Sequence, residues 1–177
     1  MRTVLTLLSM IIAGCSATTT QRLGLPPPKT VENLDVSRYL GTWYEIASFP
    51  QSFQKGCTAV TATYTRRQDD GQIEVLNKCH LEKIDGPLKE ANGLARVVDP
   101  SNSKLEVSFF RPFWADYWVL ELGPNYEYAV VGDPSRDYLW ILNRTTQMDP
   151  NVYVGILERL KTEGYEIQKL KITAQPR

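Results

Sequence analysis

Apolar and polar residues alternate in short segments along most of the chain, and glycine, proline or aspartate interrupts the alternation every ten residues or so. Alternation places successive side chains on opposite faces of a β-strand, so each segment is typical of a strand with one buried face. The pattern predicts strands at approximately 43–49, 58–66, 72–80, 90–98, 104–110, 116–122, 126–132 and 137–144. Eight short, evenly spaced strands favour an all-β barrel or sandwich of the size that closes around one small ligand.

Two further segments frame these strands. Residues 33–39 predict a short capped turn, with Asp35 or Ser37 as the cap. Asp149 and Pro150 predict the start of one amphipathic helix that ends at Gly164, followed by a short edge strand within 167–173. We expect this helix to pack on the outer barrel wall. The alternative, a helix lying in a membrane, is disfavoured by its mixed polar face.

Residue parity along each strand predicts which side chains face the interior. The fourth strand offers Ala91, Gly93, Ala95 and Val97, which are small for a barrel wall and leave room for a guest. The alternative is an interior filled by the protein's own side chains, which must hold for some positions. The predicted ligand-binding residues are Glu45, Ala47, Ala62, Tyr64, Ile73, Val75, Val107, Phe109, Tyr117, Val119, Val131, Tyr138, Trp140 and Leu142.

Glu45 shares the inward face with Trp43, which places a carboxylate in or near the predicted cavity. An ionised carboxylate without a partner is costly there, so we expect a Tyr or Thr hydrogen bond or a raised pKa. A structural role is favoured over ligand contact, and both stay open. A rim of turns forms the mouth at the other end, with Phe53, Arg111, Phe113, Trp114 and Arg136 as predicted mouth residues. They are either ordinary exposed side chains or a lipid-contacting rim in which an Arg meets a headgroup.

The N-terminus has the pattern of a processed leader. Residues 1–14 carry Arg2 and an apolar run too short for a membrane span, which predicts a signal peptide. The following Cys15 is similar to the lipidated Cys of a bacterial lipobox, and the alternative is a cleaved leader with an incidental Cys. Several acyl chains on Cys15 would anchor the protein stably. Residues 15–32, with Pro26, Pro27 and Pro28, predict a lipidated, extended tether before a domain over 33–177.

Charge and histidine content restrict the remaining functions. Lys+Arg and Asp+Glu balance at 20 each, so nothing in the net charge attracts nucleic acid. The single histidine, His80, excludes a zinc site built on several imidazoles and leaves few ways to build a catalytic relay. We expect no catalytic residues, no metal site and no cofactor.

Two signature stretches bear on the family. Residues 41–47 form a Gly-led strand whose Trp43 could plug one barrel end, and residues 138–144 form a strand ending in Arg144, which could stack on that indole. The two stretches, in this order, resemble the lipocalin family over residues 33–170, and within it the bacterial outer-membrane, apolipoprotein D and plant temperature-induced types. The resemblance implies an eight-stranded antiparallel up-and-down β-barrel with a C-terminal helix packed outside, its base closed by Trp43 and Arg144. The family's usual Thr-Asp-Tyr is replaced by Pro124, Asn125 and Tyr126.

With Cys15 assigned to lipidation, Cys57 and Cys79 remain. The protein is expected in an oxidising compartment, which favours a disulfide between them. Pairing Tyr64 with Ile73 sets Cys79 opposite Thr58, so a bulge at the start of the second strand would bring the sulfurs together. Two reduced thiols are the alternative.

These observations favour a binding protein. The leading hypothesis is an outer-membrane lipoprotein, on the periplasmic side, that stores or shuttles a fatty acid or lysophospholipid in envelope maintenance. The alternatives are a structural envelope lipoprotein with a filled barrel and, less favoured, an enzyme acting on a barrel-bound lipid. Whether the protein forms a homodimer stays open.

Overall fold

The computed structural model describes residues 24–177, so the predicted signal peptide and the predicted lipidation at Cys15 lie outside the described residues. Within that part of the chain, no helix is both long and apolar enough to cross a membrane. The strands are β1 Gly41–Ser48, β2 Cys57–Arg66, β3 Ile73–Leu81, β4 Leu88–Val97, β5 Lys104–Phe110, β6 Phe113–Leu122, β7 Tyr128–Gly132, β8 Leu139–Asn143 and β9 Lys171–Ile172. The helices are α1 Val36–Tyr39 and α2 Pro150–Thr162, with short 3₁₀ turns at Ser52–Gln54 and Ile167–Lys169.

The first eight strands form a closed antiparallel barrel, as predicted. Each strand pairs with the next in the chain, and β1 pairs with both β8 and β2, which closes the sheet. The short β9 pairs with the end of β1 at Ala47 and Ser48. Closure leaves the barrel strands without free edges, so every inward side chain faces a single shared lumen.

The barrel has two distinct ends. We call base the end that carries the β2–β3, β4–β5 and β6–β7 turns, where β1 begins and β8 ends. We call mouth the end that carries the β1–β2, β3–β4, β5–β6 and β7–β8 loops. Helix α1 lies at the base, where the Asp35 side chain caps it by accepting from the backbone N–H of Ser37 at 2.9 Å.

Helix α2 runs outside the barrel from base to mouth. The Asp149 side chain caps it by accepting from the backbone N–H of Asn151 at 2.7 Å, and Pro150 occupies the first turn. The helix ends before Gly164, whose φ of +85° is a left-handed conformation that favours glycine. Its buried residues Ile156 and Leu160 pack on the outer faces of β1, β7 and β8, in a second core outside the lumen.

Residues 24–30 lie against the outside of the barrel, whereas Val31 and the buried Leu34 join the core cluster of the lower lumen. Pro28 is buried, and the backbone N–H of Val31 donates to Val119 O of β6 at 3.0 Å. Within the predicted tether over 15–32, residues 24–32 therefore pack on the wall that β6 and α2 provide.

Candidate functional site

The base of the lumen is closed by an indole beneath a guanidinium. Trp43 is fully buried, and the Arg144 guanidinium carbon lies 3.7 Å from the centre of its ring. Arg144 also donates to the backbone carbonyls of Arg38, at 2.7 Å, and Thr42, at 3.0 Å. Burial lowers the pKa of Arg144, yet an arginine remains charged at physiological pH, so the stacking persists.

Three tyrosines fill the interior just above this closure. The Tyr117 hydroxyl of β6 lies 2.7 Å from that of Tyr39 and 2.8 Å from that of Tyr64. Burial raises the pKa of all three, that of Tyr64 to about 12. The triad satisfies three buried hydroxyls within a single network, which makes the lower interior a solid core.

The lower half of the barrel holds half of the predicted ligand-binding residues. They are buried side chains of one continuous cluster with Trp43, and they are Tyr64, Ile73, Val75, Tyr117, Val119, Val131 and Leu142. The prediction that they line a cavity differs from the structure, because these side chains pack on one another and on Tyr39.

The upper half of the lumen is less filled. Ala62 and Val107 face inward and are only partly buried, and Ala91, which pairs with the inward Asn77, is exposed. Trp140 is partly buried, and Tyr138 stacks beside it with ring centres 6.0 Å apart. Inward side chains that keep solvent exposure inside a closed barrel indicate open space above the tyrosines.

The Phe109 ring of β5 packs directly against Gly93 of β4. A Cβ at Gly93 would lie 2.8 Å from Cδ1 of Phe109, so the missing side chain makes room for that ring on the wall. The small fourth strand therefore makes room for a neighbouring aromatic side chain. Phe109 stays 45% exposed and lies towards the mouth.

Glu45 is enclosed by hydrogen-bond donors. Its carboxylate accepts from the Ser48 hydroxyl at 3.0 Å, from the Gln54 amide and from the Thr173 hydroxyl. Burial raises the pKa of Glu45, and the three donors oppose that rise. With 3% of its surface exposed, Glu45 is a satisfied wall residue rather than an open ligand contact, as the structural alternative expected.

Asn77 is a polar position of the upper lumen that the predicted site residues omit. It faces inward opposite Ala62, and its buried amide oxygen makes no hydrogen bond to any described residue. Gln54 and Thr173 were also missed, because a turn and a C-terminal segment bring them to Glu45 from positions without a sequence signal.

Ala47 lies on the wrong side of the wall for a lumen residue. The pairing of β1 with β8 shifts between Glu45 and Ala47, so a bulge turns Ala47 outward into the core beneath α2. Parity counted across that bulge gave the wrong face.

The side chains of two predicted mouth residues point away from the opening of the lumen. Arg136 is 8% exposed, and its guanidinium donates to the carbonyls of Glu163 and Pro26, away from the lumen. Trp114 belongs to β6, which extends to Phe113 instead of beginning near 116, and it lies under Arg96 on the outer wall at 4.1 Å.

The remaining mouth residues form an exposed apolar rim. Phe113 is 69% exposed and stacks on Phe110, which is 76% exposed, across the tip of the β5–β6 hairpin. Arg111 lies between them in the chain and is exposed. Phe53 is 57% exposed, and the Lys89 ammonium donates to its carbonyl at 2.8 Å.

A disulfide joins Cys57 of β2 to Cys79 of β3 near the mouth, with 5.4 Å between the Cα atoms. The bulge predicted at the start of β2 is present between Thr58 and Thr61. The predicted register was wrong by two residues, since Tyr64 pairs with Val75 rather than Ile73. His80 lies near the end of β3, where its Nδ1 is 2.8 Å from Gly86 O of the β3–β4 loop. Within residues 24–177 no cluster of His, Cys, Asp and Glu could hold a metal ion.

Comparison with known proteins agrees with this architecture. Residues 34–175 match the model of the lipocalin-like domain. The chain is 41% identical to the outer membrane lipoprotein Blc of Citrobacter freundii, covering 95% of this chain and 92% of that protein. It is 43% identical to temperature-induced lipocalin-1 of Arabidopsis thaliana, and the match covers 83% of this chain and 82% of that protein. The structure of insecticyanin from Manduca sexta superposes with a TM-score of 0.67 at 19% identity, covering 86% and 87%, a likeness of fold alone.

Proposed function

Because this chain belongs to the lipocalin family, whose members are generally carriers rather than enzymes, we propose that it carries a fatty acid or lysophospholipid in its upper lumen. We place it on the outer membrane, held by acyl chains on Cys15 and facing the periplasm, where it serves membrane-lipid maintenance. The outer membrane lipoprotein that it resembles across nearly its whole length supports this location.

One observation supports the carrier function most directly. The inward residues Ala62, Ala91 and Val107 keep solvent exposure above a base that Trp43 and the tyrosines fill completely. A filled structural barrel would bury them. These inward residues are apolar, which suits an acyl chain that enters tail first from the mouth.

Binding would draw on the hydrophobic effect. Each methylene that moves from water into the lumen contributes about 0.8 kcal/mol, so a chain of several carbons suffices for useful affinity. The tail would contact Val107 and Trp140, which pack on the lower core and stay only partly buried. The polar head would stay near the mouth.

Two polar groups suit the head. The Asn77 amide oxygen has no partner among the described residues and could accept from a hydroxyl of a lysophospholipid. The exposed Arg111 at the rim could pair with a phosphate or a carboxylate. Glu45 contributes little, because its own donors already surround it.

Paired substitutions on β4 test this function. Ala91→Phe adds a ring that projects into the lumen, whereas Asn92→Phe adds the same ring to the outer face one residue later. We expect Ala91→Phe to weaken binding of a lysophospholipid and of a fatty acid by tenfold or more in a Trp fluorescence titration. Asn92→Phe should bind as wild type does. Equal affinities in all three proteins would refute a lumen-bound ligand.

A second pair of variants tests the headgroup contacts. Arg111→Ala should weaken binding of a lysophospholipid more than binding of a fatty alcohol, which lacks a charged group. Asn77→Leu should weaken binding of a lysophospholipid more than binding of a fatty acid methyl ester, which has no hydroxyl to donate. If both variants bind the lysophospholipid as tightly as wild type, the assignment of the headgroup fails while the lumen site stands.

A further inference from the structure

The N-terminal segment follows a fixed path from mouth to base. The Arg136 Nη2 of the β7–β8 loop donates to Pro26 O at 2.8 Å, at the mouth end. Eight residues later, the backbone N–H of Leu34 donates to Ser101 O of the β4–β5 turn at 2.8 Å, at the base. The described chain therefore begins at the mouth and descends along the wall.

Arg136 holds the upper end of this segment. It is a buried arginine with φ of +63°, a left-handed conformation that is uncommon outside glycine. It also donates to Glu163 O at the end of α2, so one guanidinium joins the N-terminal segment to the helix and the β7–β8 loop. A Cβ at the neighbouring Gly164 would lie 2.5 Å from Cδ1 of Leu25, so the glycine makes space for the segment.

The two barrel ends differ sharply in exposed apolar surface. Among the described residues, large exposed hydrophobic side chains at the base are Val97 and Val98 alone. The four mouth loops and their flanking strand ends carry seven, five of them aromatic, and these are Phe53, Ile84, Leu88, Phe109, Phe110, Phe113 and Tyr138. They are contributed by all four mouth loops and their flanking strand ends, so they surround the opening of the lumen.

We propose that the mouth rim faces and docks on the lipid bilayer that holds the anchor, so that a ligand passes between membrane and lumen without crossing water. This orientation rests on the proposed lipidation of Cys15. From Cys15 to Pro26 is eleven residues, which span at most about 40 Å when fully extended. The ten-residue strands β2 and β6 are each roughly 30 Å long, so a base-facing orientation would consume nearly all of that length.

Site-specific labels on the lipidated full chain test the orientation. Ile84→Cys at the mouth and Val98→Cys at the base are matched positions, 40% and 47% exposed in the wild-type residues. Each carries an environment-sensitive fluorophore, and the protein is reconstituted on phosphatidylcholine vesicles that contain doxyl-labelled lipid. Vesicle flotation in the same samples reports anchoring independently of orientation.

We expect the label at 84 to be quenched at least about threefold more than the label at 98. Phe110→Ser with Phe113→Ser should reduce quenching at 84, while the side-wall control Val154→Ser on α2 should not. Flotation with equal quenching at both labels, or with stronger quenching at 98, overturns the orientation and leaves the lumen site intact. Loss of flotation refutes the anchoring itself, and the orientation with it.

Discussion

Trp43 and Arg144 show how single side chains seal one end of the interior. The indole is apolar and would be exposed at the base, but the guanidinium covers its face and uses its N–H groups on nearby carbonyls. One residue thus removes the indole from water and satisfies backbone acceptors at the junction of α1 and β1. A lysine could not fill both roles at once, because its ammonium lacks the planar fork that stacks on the indole while it donates to several carbonyls.

Arg144→Ala should therefore be costly. Loss of the cation–π contact and of several charge-assisted hydrogen bonds predicts a decrease of about 2–4 kcal/mol in the free energy of unfolding. Urea denaturation, monitored by Trp fluorescence, measures this decrease in the free energy of unfolding. Arg96→Ala, which removes an arginine stacked on Trp114 on the exposed outer wall, is the matched control and should cost less than about 1 kcal/mol. Equal losses would contradict the sealing role.

The tyrosine triad gives a second prediction. Tyr117→Phe removes the hydroxyl that both Tyr39 and Tyr64 contact, leaving two buried hydroxyls without this partner. It should lower the free energy of unfolding by about 1–3 kcal/mol, whereas Tyr64→Phe, which removes one hydrogen bond, should cost less. Thermal unfolding of both variants shows which substitution destabilises the protein more. A larger loss in Tyr64→Phe would argue against Tyr117 as the centre of the network.

The raised pKa of Glu45 predicts that the stability of the folded protein depends on pH. Its pKa is raised in the folded protein, so the folded state favours the protonated form. The stabilisation that protonated Glu45 gives the folded state is complete below the ordinary pKa of 4.5, and it is lost as the pH rises through the raised pKa of the folded protein. Glu45→Gln does not ionise, so its unfolding midpoint relative to wild type should rise with pH across that window.

The control for this experiment is Glu158→Gln on the exposed face of α2, which should follow the wild-type pH profile. A constant difference between Glu45→Gln and wild type across the window would show that burial does not raise the pKa of Glu45.

At the scale of elements, strand positions were predictable and local irregularities were not. The eight strands, the Asp149 cap and the end of α2 before Gly164 follow from alternation, capping residues and glycine, which are local signals. Ala47 was misplaced because the bulge in β1 depends on pairing with β8 and β9, which local sequence does not encode. Arg136 was misplaced because a left-handed loop residue can send its side chain to either side.

The β2–β3 hairpin provides a prediction at this scale. Its disulfide closes a segment with a sequence separation of 22, so replacing Cys57 and Cys79 with serine should lower the free energy of unfolding by about 3 kcal/mol. Urea unfolding of the oxidised wild type and the double variant measures this loss. Wild type under reducing conditions should match the variant. If reduction leaves wild-type stability unchanged, the bridge does not stabilise the hairpin.

At the scale of the whole molecule, the barrel is divided into a solid lower half and an accessible upper half. Sequence alternation predicts which side chains point inward, but it does not show how far each one lies from the mouth. The lumen was therefore predicted as one cavity. Depth depends on which large side chains meet across the barrel, and Tyr39, outside the strands, completes the lower core. The chain's charge balance, single histidine and two cysteines in register for a bridge remain consistent with a carrier.

Native mass spectrometry of the full-length protein, gently extracted from membranes and then mixed with lysophospholipids and fatty acids, tests the carrier function most directly. The account predicts one bound amphiphile per chain, either retained through purification or taken up on mixing, and lost in Ala91→Phe but kept in Asn92→Phe. A spectrum of protein alone under every condition, with the barrel folded and its disulfide formed, would contradict it.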